Sequence, residues 1–260
     1  MARSTFYYQL QQALHGDKYA SIKQRIRSIY EQHHGRYGYR RVTAAMRQFG
    51  ESINHKTVQR LMRILGLKSL ARPKKYRSFK GNVGLVAPNL LQRDFRATAA
   101  NQKWSTDVTE FNVAGEKLYL SPILDLFNGE IVAFETAKKP VYKMIDTMLK
   151  KAFKRLSPID KPILHSDQGW QYRMPAYQTS LASRGLTQSM SRKGNCLDNA
   201  AMESFFAVLK TEFFYLNKFT TVEQLERGIK EYIHYYNNDR IKLKLKGLSP
   251  VQYRNQPFYV

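Results

Sequence analysis

The stretch H-S-D-Q-G-W-Q-Y at 165–172, followed by L-D-N-A-A-M-E-S-F-F at 197–206, decides how the rest of the chain is read. Its two acids, Asp167 and Glu203, have thirty-five residues between them. Asp167 follows the apolar run Pro162-Ile163-Leu164, the pattern of a short buried strand that ends where polar residues begin. Glu203 falls just inside a helix beginning near Asp198, because Ala200, Ala201, Met202, Phe205, Phe206, Val208 and Leu209 favour helix or recur at helical spacing. A carboxylate at a strand tip and another on a helix can converge. Asp107, in W-S-T-D-V-T-E-F at 104–111, adds a third from the first strong strand of the same region.

Three hard carboxylates on rigid elements suit magnesium or manganese bound through oxygen. Two such ions, roughly 3.5–4 Å apart, can assist both the attacking and the leaving oxygen in phosphodiester chemistry. Acids at this spacing occur by chance in most proteins, so the specificity lies in the words around them.

Those words are W-S-T-D-V-T-E (104–110), H-S-D-Q-G-W-Q-Y (165–172), S-M-S-R-K-G-N-C-L-D-N-A-A-M-E-S-F-F (189–206) and Y-N-N-D-R (236–240) with L-S-P (248–250). Together they resemble the DDE transposases of bacterial insertion sequences, most nearly the second-frame product of the insertion-sequence-three family. That family shares its catalytic fold with retroviral integrases. The likeness runs from about Tyr19 to Arg254. It implies an α/β fold, a ribonuclease-H-like mixed five-stranded sheet flanked by helices, in which the first and fourth strands lie side by side and bring Asp107 to Asp167. It further implies that Asp107, Asp167 and Glu203 are the catalytic residues and the ligands of two Mg2+ or Mn2+ ions. The expected partners are DNA, namely the element's terminal inverted repeats and its target, and further copies of the chain assembled on that DNA. The resemblance also implies a circular intermediate and work in the bacterial cytoplasm, at the nucleoid. Full family enzymes carry an upstream first-frame segment with a leucine zipper, joined by frameshifting. This sequence starts at Met1 with no heptad seam, so the first-frame protein is a further expected partner.

Charge points the same way. The 260 residues carry a net +23, which calls for a polyanion, and no apolar run approaches membrane-spanning length. Residues 1–80 hold eighteen Lys/Arg against three acids, whereas the remaining 180 hold twenty-five against seventeen. A dedicated DNA-binding region is therefore expected at 1–80, a linker at 81–98 and a catalytic core with a C-terminal helical extension at 99–260. A single cysteine, Cys196, rules out internal disulfides, suits a reducing cytosol and leaves no zinc module for His33 and His34.

In the basic region, Phe6, Leu10 and Leu14 suggest a short first helix. Ile22, Ile26, Ile29, Tyr30 and His33 then mark one helix face, and Val42, Ala45, Met46 and Phe49 a second, with Gly50 as its stop. Asn54 is a good N-cap for a third helix carrying Val58, Leu61, Met62 and Leu65, ended by Gly66. Lys56, Gln59, Arg60 and Arg63 fall on its outer face, as in a helix-turn-helix whose last helix enters the major groove. An ordinary solvated basic face is the plainer alternative. From Arg72-Pro73-Lys74-Lys75 to about Ala100 periodicity fades, so a fragment starting near Ala97 is expected to fold alone.

The core reads as strands at 104–113, 117–126 and 130–136, a helix at 141–156, a strand at 163–164, a helix at 174–184 and a strand at 186–190. The Glu203 helix follows, then one opened by Thr221 and Gln224, and a last turn at Ser249-Pro250. Asp125, before the Asn128-Gly129 turn, rivals Asp107 but reads more simply as a turn brace. Glu110 lies on the opposite strand face from Asp107, and Asp198 reads as an N-cap. Lys210, two helical turns beyond Glu203, and Arg192 and Lys193, in a flexible loop, are candidate DNA contacts. His165 and Gln168 flank Asp167 and either orient it or pack. Trp104 and Trp170 read as core or support, and the chemistry of Asn237 and Arg240 does not follow from sequence. A ribonuclease H would share the fold and metals without needing the basic helices. A silent DNA-binding regulator would bind without cleaving.

Overall fold

The computed structural model describes residues 2–7, 17–71, 87–192 and 196–256. The chain forms two units, Met1–Arg72 and Pro73–Val260. Residues 3–7 are helical; the rest of the expected first helix, the basic run from Arg72 and the candidate Lys193 lie outside the described residues.

The first unit packs α1 (Ala20–Gln32), α2 (Tyr39–Gln48) and α3 (His55–Ile64) around Ile26, Ile29, Tyr37, Val42, Met46, Val58, Leu61 and Met62. The Asn54 side chain accepts the Lys56 N–H, a cap worth about 1 kcal/mol. Gly66 follows at φ +69°, a left-handed turn that glycine enters without strain. Phe49, expected inside, is 61% exposed. It lies one residue past the end of α2, and the Arg25 guanidinium stacks on its ring, 5.6 Å from the centroid.

The second unit is a mixed sheet covered by helices on both faces. Its strands are β1 (Lys103–Thr106), β2 (Thr109–Val113), β3 (Glu116–Asp125), β4 (Ile131–Ala137), β5 (Ile163–Ser166) and β6 (Thr187–Met190). Six segments replace the expected five, because the strand read as 104–113 is broken at Asp107-Val108. Its two pieces keep one register against β3, Thr106 facing Ile123 and Thr109 facing Leu120. Continuing that register through the gap sets Asp107 opposite Pro122. A proline has no N–H for the ladder, so the pairing opens there. The order across the sheet is then β4, β3, β1 with β2, β5 and β6, with β5 and β6 parallel to β1.

Alternation along the strands splits the core in two. Trp104, Ile123, Val132 and Leu164 face α4 (Tyr142–Phe153) and α5 (Pro175–Ala182). Phe111, Leu118, Leu120, Leu124 and Ile131 face α6 (Ala200–Glu212) and α7 (Val222–Asn238). A short α8 (Pro250–Arg254) opens on a Ser249/Gln252 capping box. Residues 87–98, read above as linker, are no free tether. Leu91 is buried, the Leu90 N–H donates to Ser189 Oγ, and Pro88 C=O accepts the Met190 N–H, so the segment runs along the outer edge of β6.

Candidate active site

The parallel pairing of β1 and β5 builds the centre of the site. Lys103, Trp104 and Ser105 face Ile163, Leu164 and His165 in register. Continued two residues further, that register sets Asp107 level with Asp167, where both strands have just ended. Burial pushes the Asp107 carboxyl well above the usual carboxylate range, and the charges of Asp167 and Glu203 push it further. Burial likewise raises Asp167, against the pull of the Gly169 N–H and of Arg173. The Gly169 N–H reaches Asp167 Oδ1 at 2.9 Å, and a Cβ on Gly169 would stand 2.9 Å from that same oxygen. A larger residue there would have to displace the Asp167 carboxylate from its present position.

Glu203 projects from the first turn of α6, its carboxyl raised by burial. The start of that helix is held by two consecutive residues. Asp198, expected to be an N-cap, lies instead in the 3-10 turn Cys196–Asn199 before the helix. Its buried carboxylate accepts from Asn89 Nδ2, from Arg93 Nε and from both the backbone and guanidinium of Arg192. The Arg192 guanidinium, first among these, holds it well below the usual carboxylate range. Asn199, which no sequence argument singled out, donates to Asp107 Oδ2 at 2.9 Å and accepts from Ser105 Oγ at 3.1 Å. Tyr172 was also missed: it is fully buried, and burial followed by the charges of Asp107 and Asp167 pushes its phenol far up. Both missed residues sit inside the quoted motifs, but only the tertiary pairing shows what they face.

The remaining candidates separate clearly. Asp125 is buried and braces the 125–130 turn: it accepts the N–H groups of Asn101 and Phe127 and pairs with Arg254. Glu110 is exposed and paired to Lys117. Lys210 is half-buried, its Nζ 5.3 Å from the Phe111 ring centroid. Burial pulls the ammonium down, while Glu110 and Asp107 pull it up, so it stands within reach of the site's charge. Arg192 remains 58% exposed beyond its grip on Asp198.

His165 is structural, its ring nitrogens bonded to Ser189 Oγ and the Asp198 carbonyl, and Gln168 ties its loop to the Ser191 carbonyl. Trp104 is core, but Trp170 is 48% exposed at the 3-10 turn beside Asp167. Asn237 bonds both backbone groups of Ile131, at the start of β4. Arg240 makes two 2.7 Å bonds to Glu212 at the end of α6. In the first unit, Lys56, Gln59, Arg60 and Arg63 are exposed and line one cleft of about 830 Å³ with Lys68.

Among the described residues, no three His, Cys, Asp or Glu side chains already close tightly enough around one point to hold an ion. The donor chemistry nevertheless fits a divalent cation. The set is all carboxylate, two members are largely desolvated, and their mutual charge destabilises the ionised form that a hard cation would stabilise.

A broken central strand, a parallel neighbour bringing a second acid to its tip and a covering helix carrying a third define an integrase-type catalytic core. Residues 97–196 and 203–258 both match the family described as integrase core domain, and residues 18–76 match an HTH-like domain. InsK of insertion sequence element IS150 in Escherichia coli (strain K12) is 57% identical across 98% of this chain and 90% of its own length. The transposase InsF for insertion sequence IS3A, from the same strain, is 35% identical across 85% of this chain and 77% of its own. The simian T-cell lymphotropic virus intasome, solved by cryo-EM with PP2A regulatory subunit B56 gamma, shares the fold at TM-score 0.54 and 15% identity. That alignment covers 90% of this chain and 75% of the other. The chain belongs to the transposases of bacterial insertion sequences that carry an integrase core.

Proposed function

We propose that this chain cuts and rejoins DNA at the ends of an insertion sequence, with Asp107, Asp167 and Glu203 as its catalytic acids. The observation that carries the reading is the shared register of β1 and β5, which sets two half-buried acids level, with Glu203 adding its charge to the same point. These acids hold and orient the reacting phosphate's cations. Magnesium or manganese, two ions in this reading, supplies Lewis-acid charge to the phosphate oxygens when bound. Water first displaces the 3′ oxygen of a phosphodiester at the element's end, leaving a 3′ hydroxyl. That hydroxyl then attacks a second DNA phosphate and displaces its 3′ oxygen, so no protein nucleophile is needed. Lys210 and Arg192, with Lys193, hold the strand's backbone beside the acids. Lys56, Gln59, Arg60 and Arg63 read the terminal inverted repeats from α3.

The chain works in the cytoplasm on nucleoid DNA, as several copies gathered on the element's ends and the target, alone or with a first-frame partner. No described helix is long and apolar enough to cross a membrane. The test is a cleavage and joining assay on DNA bearing the element's ends, with and without Mg2+. Metal-dependent nicking followed by joined products supports the reading. Cleavage confined to RNA–DNA hybrid would make the chain a ribonuclease H, and metal-independent binding without nicking would make it a silent regulator.

A further inference from the structure

We infer that Asn199 is a positioning residue, whose amide ties Asp107 to the start of the helix that carries Glu203. The inference rests on the assignment of the three acids made above. Asn199 occupies the N-cap position of α6, yet its side chain makes no cap hydrogen bond. It forgoes a contact that asparagine makes well there and turns to β1 instead. Nδ2 donates to Asp107 Oδ2 at 2.9 Å, and Oδ1 accepts from Ser105 Oγ at 3.1 Å.

The polarity of this bridge follows from Asp107 in the ionised form that holds a cation. An ionised Asp107 only accepts, so the amide nitrogen must face it, and the hydroxyl of Ser105 can then donate to the amide oxygen. Ser105 and Asp107 are two residues apart, so one amide can span both from the same face of the strand. The other oxygen of Asp107 takes the N–H of Val108 at 2.7 Å, which leaves the carboxylate with a partner on each side. Asp198, one residue before Asn199, pins the same turn through its carbonyl to His165 and its carboxylate to Arg93 and Arg192. The start of α6 is thus anchored to β5 by one residue and to the first acid by the next. Asp107 and Glu203 are positioned as a unit.

Mn2+ binding to the full chain, followed by electron paramagnetic resonance, tests this beside the Mg2+ dependence of strand cleavage. Asn199→Ala should weaken Mn2+ binding by about 10–100-fold, the usual effect of removing a group that orients a metal-holding carboxylate. The Mg2+ needed for half-maximal cleavage should rise by a similar factor, and saturating Mg2+ should restore most of the rate. Ser105→Ala keeps the donor but frees the amide's far end, so its loss should fall between wild type and Asn199→Ala. Unchanged Mn2+ affinity in Asn199→Ala, with only a lower melting temperature, would make Asn199 a packing residue and overturn the inference. If Asn199→Ala does not fold, Ser105→Ala decides: unchanged affinity there overturns it equally. Asp107→Asn separates the two levels. If it binds Mn2+ and cleaves normally, the acid assignment fails and takes this inference with it. If it loses both while Asn199→Ala loses neither, only the positioning role fails.

Discussion

Arg93 donates to Asp198 across 105 residues of sequence, at 3.0 Å from Nε to Oδ1. The segment before the catalytic core therefore holds the turn from which the Glu203 helix starts. Two fragments should show this, one beginning at Ala87 and one at Ala97. The longer retains Asn89, Leu91 and Arg93; the shorter leaves Asp198 with Arg192 as its remaining side-chain partner among the described residues. We expect the shorter to unfold at lower denaturant by about 1–3 kcal/mol, the range for weakening a buried polar network. Equal midpoints by circular dichroism would mean that 87–96 is only a tether.

Among the described residues, Arg240 and Glu212 form the most buried ion pair of the core, at 5% and 4% exposure. Arg240→Ala removes two bonds from the buried Glu212, which keeps the donor hydroxyl of Tyr232. It should cost about 3–5 kcal/mol in urea unfolding. Lysine should rescue poorly, since it cannot make the two-pronged contact. A loss below about 1 kcal/mol, the exposed-pair range, would contradict this.

His33 gives the first unit a pH dependence. It is buried and stacked on Tyr37, 3.8 Å between centroids, and burial lowers it to about 4 from 6.5. The unfolded chain then binds the extra proton between those values, so stability is full above pH 6.5 and is lost as pH falls toward 4. The loss amounts to ~3 kcal/mol. Melts of residues 1–72 should show this slope and His33→Gln should flatten it; an unchanged slope would assign it to other groups.

On α3, Lys56→Ala and Arg60→Ala should each lower the slope of log affinity against log salt by about 0.9 if they meet phosphates. A base contact would instead relax sequence preference, at about 1–3 kcal/mol for a bidentate pair. Gel shifts across a salt series distinguish the two, and unchanged binding in both variants would leave α3 a solvated face.

What sequence made legible was local. Asp167 follows an apolar run, Asp107 sits in a β-rich stretch and the Glu203 helix has a clear apolar face, so their elements follow from pattern alone. The break after Thr106 was not legible, because its cause is Pro122 on another strand. Asp198 reads as a cap because the neighbours that claim it, Asn89 and Arg93, lie about a hundred residues away. The Y-N-N-D-R motif stayed mute for the same reason. Asn237 fastens the edge strand and Arg240 the end of α6, contacts that exist only after the sheet has formed.

We propose that Glu203 acts in the chemistry whereas Asp125, more deeply buried, only braces a turn. Strand cleavage and joining by Glu203→Gln and Asp125→Asn, each checked for folding and DNA binding, tests it most directly. Glu203→Gln removes a charge and little shape, so DNA binding and the melting temperature should persist while cleavage and joining both disappear. Asp125→Asn should melt earlier and, where folded, still cleave. Wild-type strand transfer by Glu203→Gln, or a well-folded Asp125→Asn with no cleavage, would contradict the account.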